Sequence, residues 1–184
     1  MNLEDARTLM HEWTSSEALR VHMECVALCT AAYADVHSVD DRERWMIAGL
    51  LHDFDYERHP SLEEHPAVGV AHLRAQTDLD DEILDAIMAH NPATGVPRAT
   101  DLAKCLFAVD ELAGFIVACA KVRPNGISDL APKSVKKKLK DKAFAAGVNR
   151  DDIRIGIEEL GVDPTEHIQR CIDAIRAESE RFGI

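Results

Sequence analysis

A carboxylate sits in the middle of the most apolar stretch of the chain. Residues 105–120 read CLFAVDELAGFIVACA, and only Asp110 and Glu111 interrupt the apolar text. The stretch is too short to span a bilayer, which takes about 20 apolar residues. It therefore belongs in a protein core, as a buried helix. An ionised carboxylate is costly to bury unless a cation or good hydrogen-bond donors satisfy it. A lone buried Asp more often caps a helix or pairs with an arginine; a metal ion is the other solution.

The remaining pattern is helical nearly throughout, with no run of convincing period-two alternation, so the fold class is all-α with no significant sheet. A first helix covers about residues 3–13. Thr14 or Ser15 offers an N-cap, with Glu17 close behind, for a helix to about Tyr33. Asp40 and Glu43 form a capping-box pattern for a helix ending near Asp53. Pro66 suits a first helical position, so Glu64 or His65 would cap a helix to about Gln76. Asp80 opens a helix to about His90, NPATGVPR is a loop, and Thr100 begins a long helix to about Val122. Beyond a loop at VRPNGISDLAP, helices are expected over residues 133–146 and 151–160. Gly161 ends the latter, and Asp163-Pro164 with Glu166 starts a last one. The organisation expected is a single domain: a helical core over residues 1–122, with residues 123–184 as a C-terminal helical extension packed on it.

The 184 residues suffice for one domain with a real core. The formal charge of −12 argues against a large nucleic-acid surface, while leaving room for a small phosphorylated substrate at a local positive site. Five cysteines without motif spacing point to reduced thiols and a cytoplasmic setting. Nothing resembles a secretory signal, and no membrane association is expected.

Polar residues stand on three further apolar stripes. His22 shares a face with Ala18, Cys25, Val26, Cys29 and Tyr33; His52-Asp53 ends WMIAGLLHDFD; His90 follows Ile83 and Ile87. Each alone reads as a hydrogen-bonded core residue. Imidazole and carboxylate together suit Zn, Mn, Fe or Co. Their order changes the reading. A helical His22, an adjacent His52-Asp53 thirty residues on, and Asp110 in an apolar helix resemble the H…HD…D signature of the HD superfamily of metal-dependent phosphohydrolases. LLHDFD and FAVDEL are the segments that carry the likeness, which covers roughly residues 15–120.

That resemblance implies an HD-type helical bundle, with His22, His52, Asp53 and Asp110 as metal ligands. In two-metal members two histidines intervene. HPAVGVAHL at His65 and AIMAHN at His90 are similar to segments of bacterial HD-type diadenosine tetraphosphate hydrolases, and more loosely to HD-GYP cyclic-dinucleotide phosphodiesterases. His65 and His90 are carried over on that likeness, with His72 as the rival to His65. The GYP triplet is absent and HDFDYER departs from the HDIGK form. The resemblance further implies one or two divalent ions (Mn, Fe, Co, Zn or Mg) bridged by Asp53 as the catalytic carboxylate. Metal-activated water would cleave a phosphate ester or anhydride of a small nucleotide-like substrate. The alternatives are a nucleotide-sensing HD module without turnover and a di-iron HD oxygenase. Asp55, Glu63 and Glu64 could relay protons, but read as solvated carboxylates.

Six of the eight lysines fall within KSVKKKLKDK. Lys133, Lys136, Lys137 and Lys140 share a helical face, opposite Val135, Leu139 and Phe144. One reading is a solvated face balancing surface acids. The other is that Arg123, Lys133, Lys136 and Lys137 bind substrate phosphate. His11, His37, His59 and His167 read as surface or packing residues, and a homodimer is an open expectation.

Overall fold

The structure is a computed structural model that describes residues 1–37 and 42–184. It is all-helical, with no strand among the described residues. The helices are α1 Leu3–Trp13, α2 Glu17–Ala34, α3 Arg42–Leu51, α4 Ala67–Gln76, α5 Asp81–His90, α6 Asp101–Lys121, α7 Pro132–Leu139, α8 Arg150–Leu160, α9 Pro164–Arg176 and the short α10 Ser179–Phe182. Among the described residues, no helix is long and apolar enough to cross a membrane.

The expected apolar helix is the spine. Thr100 caps α6 through its hydroxyl, and buried side chains from Leu102 to Ala120 run along nearly its whole length. Helices α2, α5, α8 and α9 all pack against it. Small residues set the closest approaches. At Gly49 a Cβ would lie 2.7 Å from the Ala27 Cα, so α3 and α2 meet backbone to backbone; at Gly156 a Cβ would lie 2.6 Å from the Ala108 Cα, and α8 sits on α6 in the same way. Helix α9 is tied in by His167, fully buried between the Tyr33 hydroxyl on α2 and the Ala108 carbonyl on α6. All five cysteines are free and buried in the core, packing as small apolar residues.

Local chemistry shifts several expected boundaries. Ser16, not Thr14 or Ser15, caps α2; the Thr14 hydroxyl is buried and donates to the Phe54 carbonyl, 3.0 Å away. Helix α3 stops at Leu51, which leaves the His-Asp pair in the following turns. Its expected cap, Asp40, lies outside the described residues. Pro66 is itself the N-cap of α4 and makes no side-chain cap, so neither Glu64 nor His65 serves in that way. Helix α7 ends at Leu139 rather than near residue 146. The Asp141 carboxylate turns back to accept from the Ala143 amide, and Arg150 gathers the Ala145 and Val148 carbonyls. The run of like-charged lysines weakens the helix it would otherwise extend.

Candidate metal centre

Five chain segments each deliver donors to one point. His22 comes from the second turn of α2, His52 and Asp53 from the turn after α3, His65 from just before α4, His90 from the last position of α5, and Asp110 from the middle of α6. His52, His65 and His90 are buried, and the His22, Asp53 and Asp110 side chains keep 20%, 17% and 17% of their surface. That residual exposure opens onto a cavity of about 360 Å³.

The Asp53 carboxylate divides its oxygens. Oδ1 lies 3.1 Å from His65 Nε2 and 3.4 Å from His90 Nε2. Oδ2 lies 3.4 Å from His52 Nε2 and 3.7 Å from His22 Nε2. Asp110 Oδ1 closes the second group, 3.0 Å from His22 Nε2 and 3.4 Å from His52 Nε2. His22, His52 and Asp53 could hold one ion and Asp53, His65 and His90 another; His52, His90 and Asp110 form a third overlapping set.

The ring nitrogens show that this donor set fits a cation. His52 Nδ1–H donates to the Gly49 carbonyl at 2.8 Å, and His90 Nδ1–H donates to the Ile87 carbonyl. His90 ends α5 and His52 directly follows α3, and each caps a carbonyl three residues back, one of the last-turn groups left without a helical partner. His65 Nδ1–H donates to Asp55 Oδ1 at 2.8 Å. With the outward nitrogen carrying the proton, each neutral ring turns a bare Nε2 lone pair inward. Yet His65 and His90 Nε2 atoms are 3.1 Å apart, and those of His22 and His52 3.3 Å. Lone pairs at that range repel one another and the carboxylates unless positive charge lies between them. Two nitrogens bound to one ion at about 2.0–2.1 Å each sit roughly 3.0–3.4 Å apart, the spacing found here.

The electrostatics of the site point to the same deficit of positive charge. Burial disfavours the charged His52 ring, but the Asp53 and Asp110 carboxylates overcome this and raise it well above the usual imidazole value. For His65, burial likewise opposes ionisation, and Asp53 and Asp55 lift it to about 9. Burial works against ionised Asp53 and Asp110 too, yet the neighbouring histidines hold both well below the ordinary carboxylate range. The electrostatics of the cluster favour a positive charge at this point.

Three further features escaped the sequence reading. Asp55 is not a solvated carboxylate: it is fully buried, accepting from His65 Nδ1–H and from the Gly69 amide at 2.7 Å. Gly69 permits this, since a Cβ there would lie 2.7 Å from the Asp55 Cγ. Carboxylate-to-histidine support of this kind fixes the ring tautomer of a metal ligand. Glu111 lines the cavity beside Asp110. Burial first, and then the Asp110 charge, push it up to about 7, so it can hold a proton near neutral pH. Asp152 on α8 reaches the same cavity, with its carboxyl raised chiefly by burial. An acidic residue next to a ligand on the core helix was the available signal for Glu111. Nothing local announced Asp152.

Glu63 and Glu64 are exposed, as expected. His72 stays out of the cluster, its ring packed 4.7 Å from Trp13. The structure does not bring the expected phosphate-binding cations to the cluster. Arg123 lies past the end of α6 at Lys121, which is itself a rise of ~16 Å from Asp110. It pairs with Asp129 at 2.8 Å and lines a different cavity with Lys137, Lys138 and Ser134. Lys136 bonds the Thr165 hydroxyl, and Lys133 follows Pro132 at the start of α7. Helix α7 packs on α9 and on α6, on a face apart from the histidines.

Comparison with curated proteins returned no match, and comparison with solved structures returned none. The family model described as "HD domain" matches residues 20–114, a span that runs from just before His22 to just after Asp110 and takes in just over half of the chain. The chain belongs to the HD domain family.

Proposed function

We propose that this HD domain is a metal-dependent phosphohydrolase in which His22, His52, Asp53, His65, His90 and Asp110 would hold divalent metal. The observation that carries this reading is the divided Asp53 carboxylate, with one oxygen facing His65 and His90 and the other facing His22 and His52. His22, His52 and Asp110 would complete one position, and His65 and His90 the other. Bound there, divalent ions supply Lewis-acid charge and a water acidic enough to be a nucleophile near neutral pH. The chain contributes the rest. Asp55 keeps the His65 proton on Nδ1, and Gly49 and Ile87 do the same for His52 and His90. His52, His65 and His90 are buried, so that charge interactions in the cluster are strong. The cavity mouth admits a small phosphate ester alongside Tyr56, Leu62 and Phe107.

The test is metal content by elemental analysis of wild type and Asp53→Ala, followed by a phosphate-ester panel with Mn, Co, Fe and Zn. Two equivalents in the wild type, their loss in a variant that keeps its helical circular dichroism, and metal-dependent phosphate release are expected. Wild type that takes up no metal after incubation with these ions would sink the reading.

A further inference from the structure

We propose that the cavity beside the metal cluster selects a small phosphate monoester whose organic half carries a positive charge; this rests on the phosphohydrolase reading above. Its walls are Tyr56, Leu62, Phe107, Glu111 and Asp152, together with Asn91, Pro92 and the cluster itself. Among the described residues, no lysine or arginine lines it. Protein sites that grip polyphosphates do so with those side chains, above all with arginine forks. Here two carboxylates stand in their place. Additional phosphates beyond the one at the cluster would share the cavity with the Asp152 carboxylate and the Glu111 carboxyl and find no side-chain cation among the described residues to pair with, and the repulsion from Asp152 is screened by water only in part at short range.

Arg98 does not alter this balance. Its guanidinium lies 3.8 Å above the Phe107 ring, and it binds the Glu159 carboxylate through Nε and Nη2 at 2.5 and 2.7 Å. Its charge is already matched, and it presents no free donor fork to the cavity.

The cavity lining therefore differs in sign from one part to another. The cluster, loaded with ions, attracts phosphate. The rest of the lining includes the carboxyl groups of Glu111 and Asp152 and the rings of Tyr56 and Phe107. Tyr56 stands with its ring edge-on to His65 at 5.1 Å and keeps 44% of its surface exposed; Leu62, across the same mouth, keeps 71%. An exposed aromatic ring among carboxylates is the chemistry that recognises an ammonium group. At about 360 Å³ the cavity is near the lower end of the ligand-pocket range of about 300–1,000 Å³, which favours a short ester over a dinucleotide.

The experiment compares phosphocholine, propyl phosphate and ATP as substrates of the metal-loaded full chain. In parallel, calorimetry measures binding of a non-hydrolysable pair, 3-(trimethylammonio)propyl phosphonate and butyl phosphonate. Phosphocholine should exceed propyl phosphate in kcat/KM by about tenfold, and the cationic phosphonate should bind about tenfold tighter than the neutral one. Asp152→Asn should pull both ratios toward one. Turnover with propyl phosphate or ATP equal to or better than phosphocholine overturns the inference and leaves the hydrolase reading standing. Turnover of none of the three by metal-loaded protein overturns the hydrolase reading. The phosphonate pair still decides the cation preference, since equal binding would overturn that as well.

Discussion

Replacing Asp55 by asparagine exchanges one carboxylate oxygen for an amide nitrogen and should weaken one metal position by at least about tenfold. Asp55 is fully buried and accepts two bonds, 2.8 Å from His65 Nδ1 and 2.7 Å from the Gly69 amide. The Gly69 amide can only donate, so the asparagine carbonyl must face it. The asparagine NH₂ then faces His65 Nδ1, which must become an acceptor. The ring proton moves to Nε2, the atom 3.1 Å from Asp53 Oδ1 and from His90 Nε2. A protonated nitrogen cannot bind metal. Losing the supporting carboxylate of a ligating histidine typically costs 10–100-fold in affinity, about 1.4–2.7 kcal/mol. The carboxylate hydrogen bond itself is worth about 1.5–3 kcal/mol. The two figures agree, so the variant should bind its second ion at least about tenfold more weakly. The ion at His22, His52 and Asp110 should be nearly unaffected. Competition with a chromophoric chelator, with stoichiometry by elemental analysis, separates the two. Thermal unfolding without metal checks that the variant folds. A folded Asp55→Asn protein that keeps both ions at wild-type affinity would refute the tautomer argument.

Three other outcomes are expected from the packing. His167 is buried, and desolvation lowers it to about 4, so its neutral form is the folded form. Its folded value lies below the unfolded value of about 6.5, so its contribution is whole above that pH and is lost as pH falls toward 4. Between about pH 7 and 4 the loss should reach on the order of 3 kcal/mol. Urea unfolding should show a flatter pH dependence in His167→Gln than in wild type, and parallel curves would contradict this. Gly156→Ala places a Cβ 2.6 Å from the Ala108 Cα and 3.2 Å from its amide nitrogen, backbone atoms that cannot yield as a side chain would. It should cost about 1–3 kcal/mol in thermal unfolding, as overpacking generally does, and an unchanged Tm would show that α8 packs more loosely on α6 than this contact requires. Substituting alanine for Lys133, Lys136 and Lys137 together should leave kcat/KM on a small phosphate ester within about threefold of wild type, since these side chains lie away from the cluster. A loss of about a hundredfold would place them at the substrate after all.

The parts of this architecture that the sequence discloses are those written in local chemistry. Asp80, Thr100 and Asp163 each cap the next helix, and the periodic apolar stripes predict helices in nearly the right places. The six residues of the cluster are legible through their order along the chain. No single one is, because a histidine on an apolar stripe looks the same whether it caps a carbonyl or faces an ion; His52 and His90 do the first with Nδ1 and turn Nε2 toward the second. What is illegible depends on distant neighbours. Asp55 reads as surface because it stands in a turn rich in charge, and only the approach of Gly69 buries it. Asp152 reaches the cavity because α8 can settle onto α6 at Gly156, four residues away on the same face. The lysine segment misleads for a related reason: its amphipathic pattern fixes which face of α7 is wet, and says nothing about which other element α7 meets.

The cluster is therefore a tertiary object, and its cost falls on the core. Five segments, from α2 to α6, each bring one or two donors, and no two neighbouring donors except His52 and Asp53 are close in sequence. Two carboxylates and several inward lone pairs must be held within 3–4 Å of one another before any cation arrives. That arrangement opposes folding, and the apolar stripe of α6, the backbone contact at Gly49 and the helix-ending bonds of His52 and His90 hold it in place. The same parts set the ligand positions. A core substitution that moved α2 or α5 against α6 by as little as about 1 Å would spoil spacings that two ligands of one ion require to within a few tenths of an ångström. Metal affinity should accordingly register damage to this core at substitutions too mild to change its helix content.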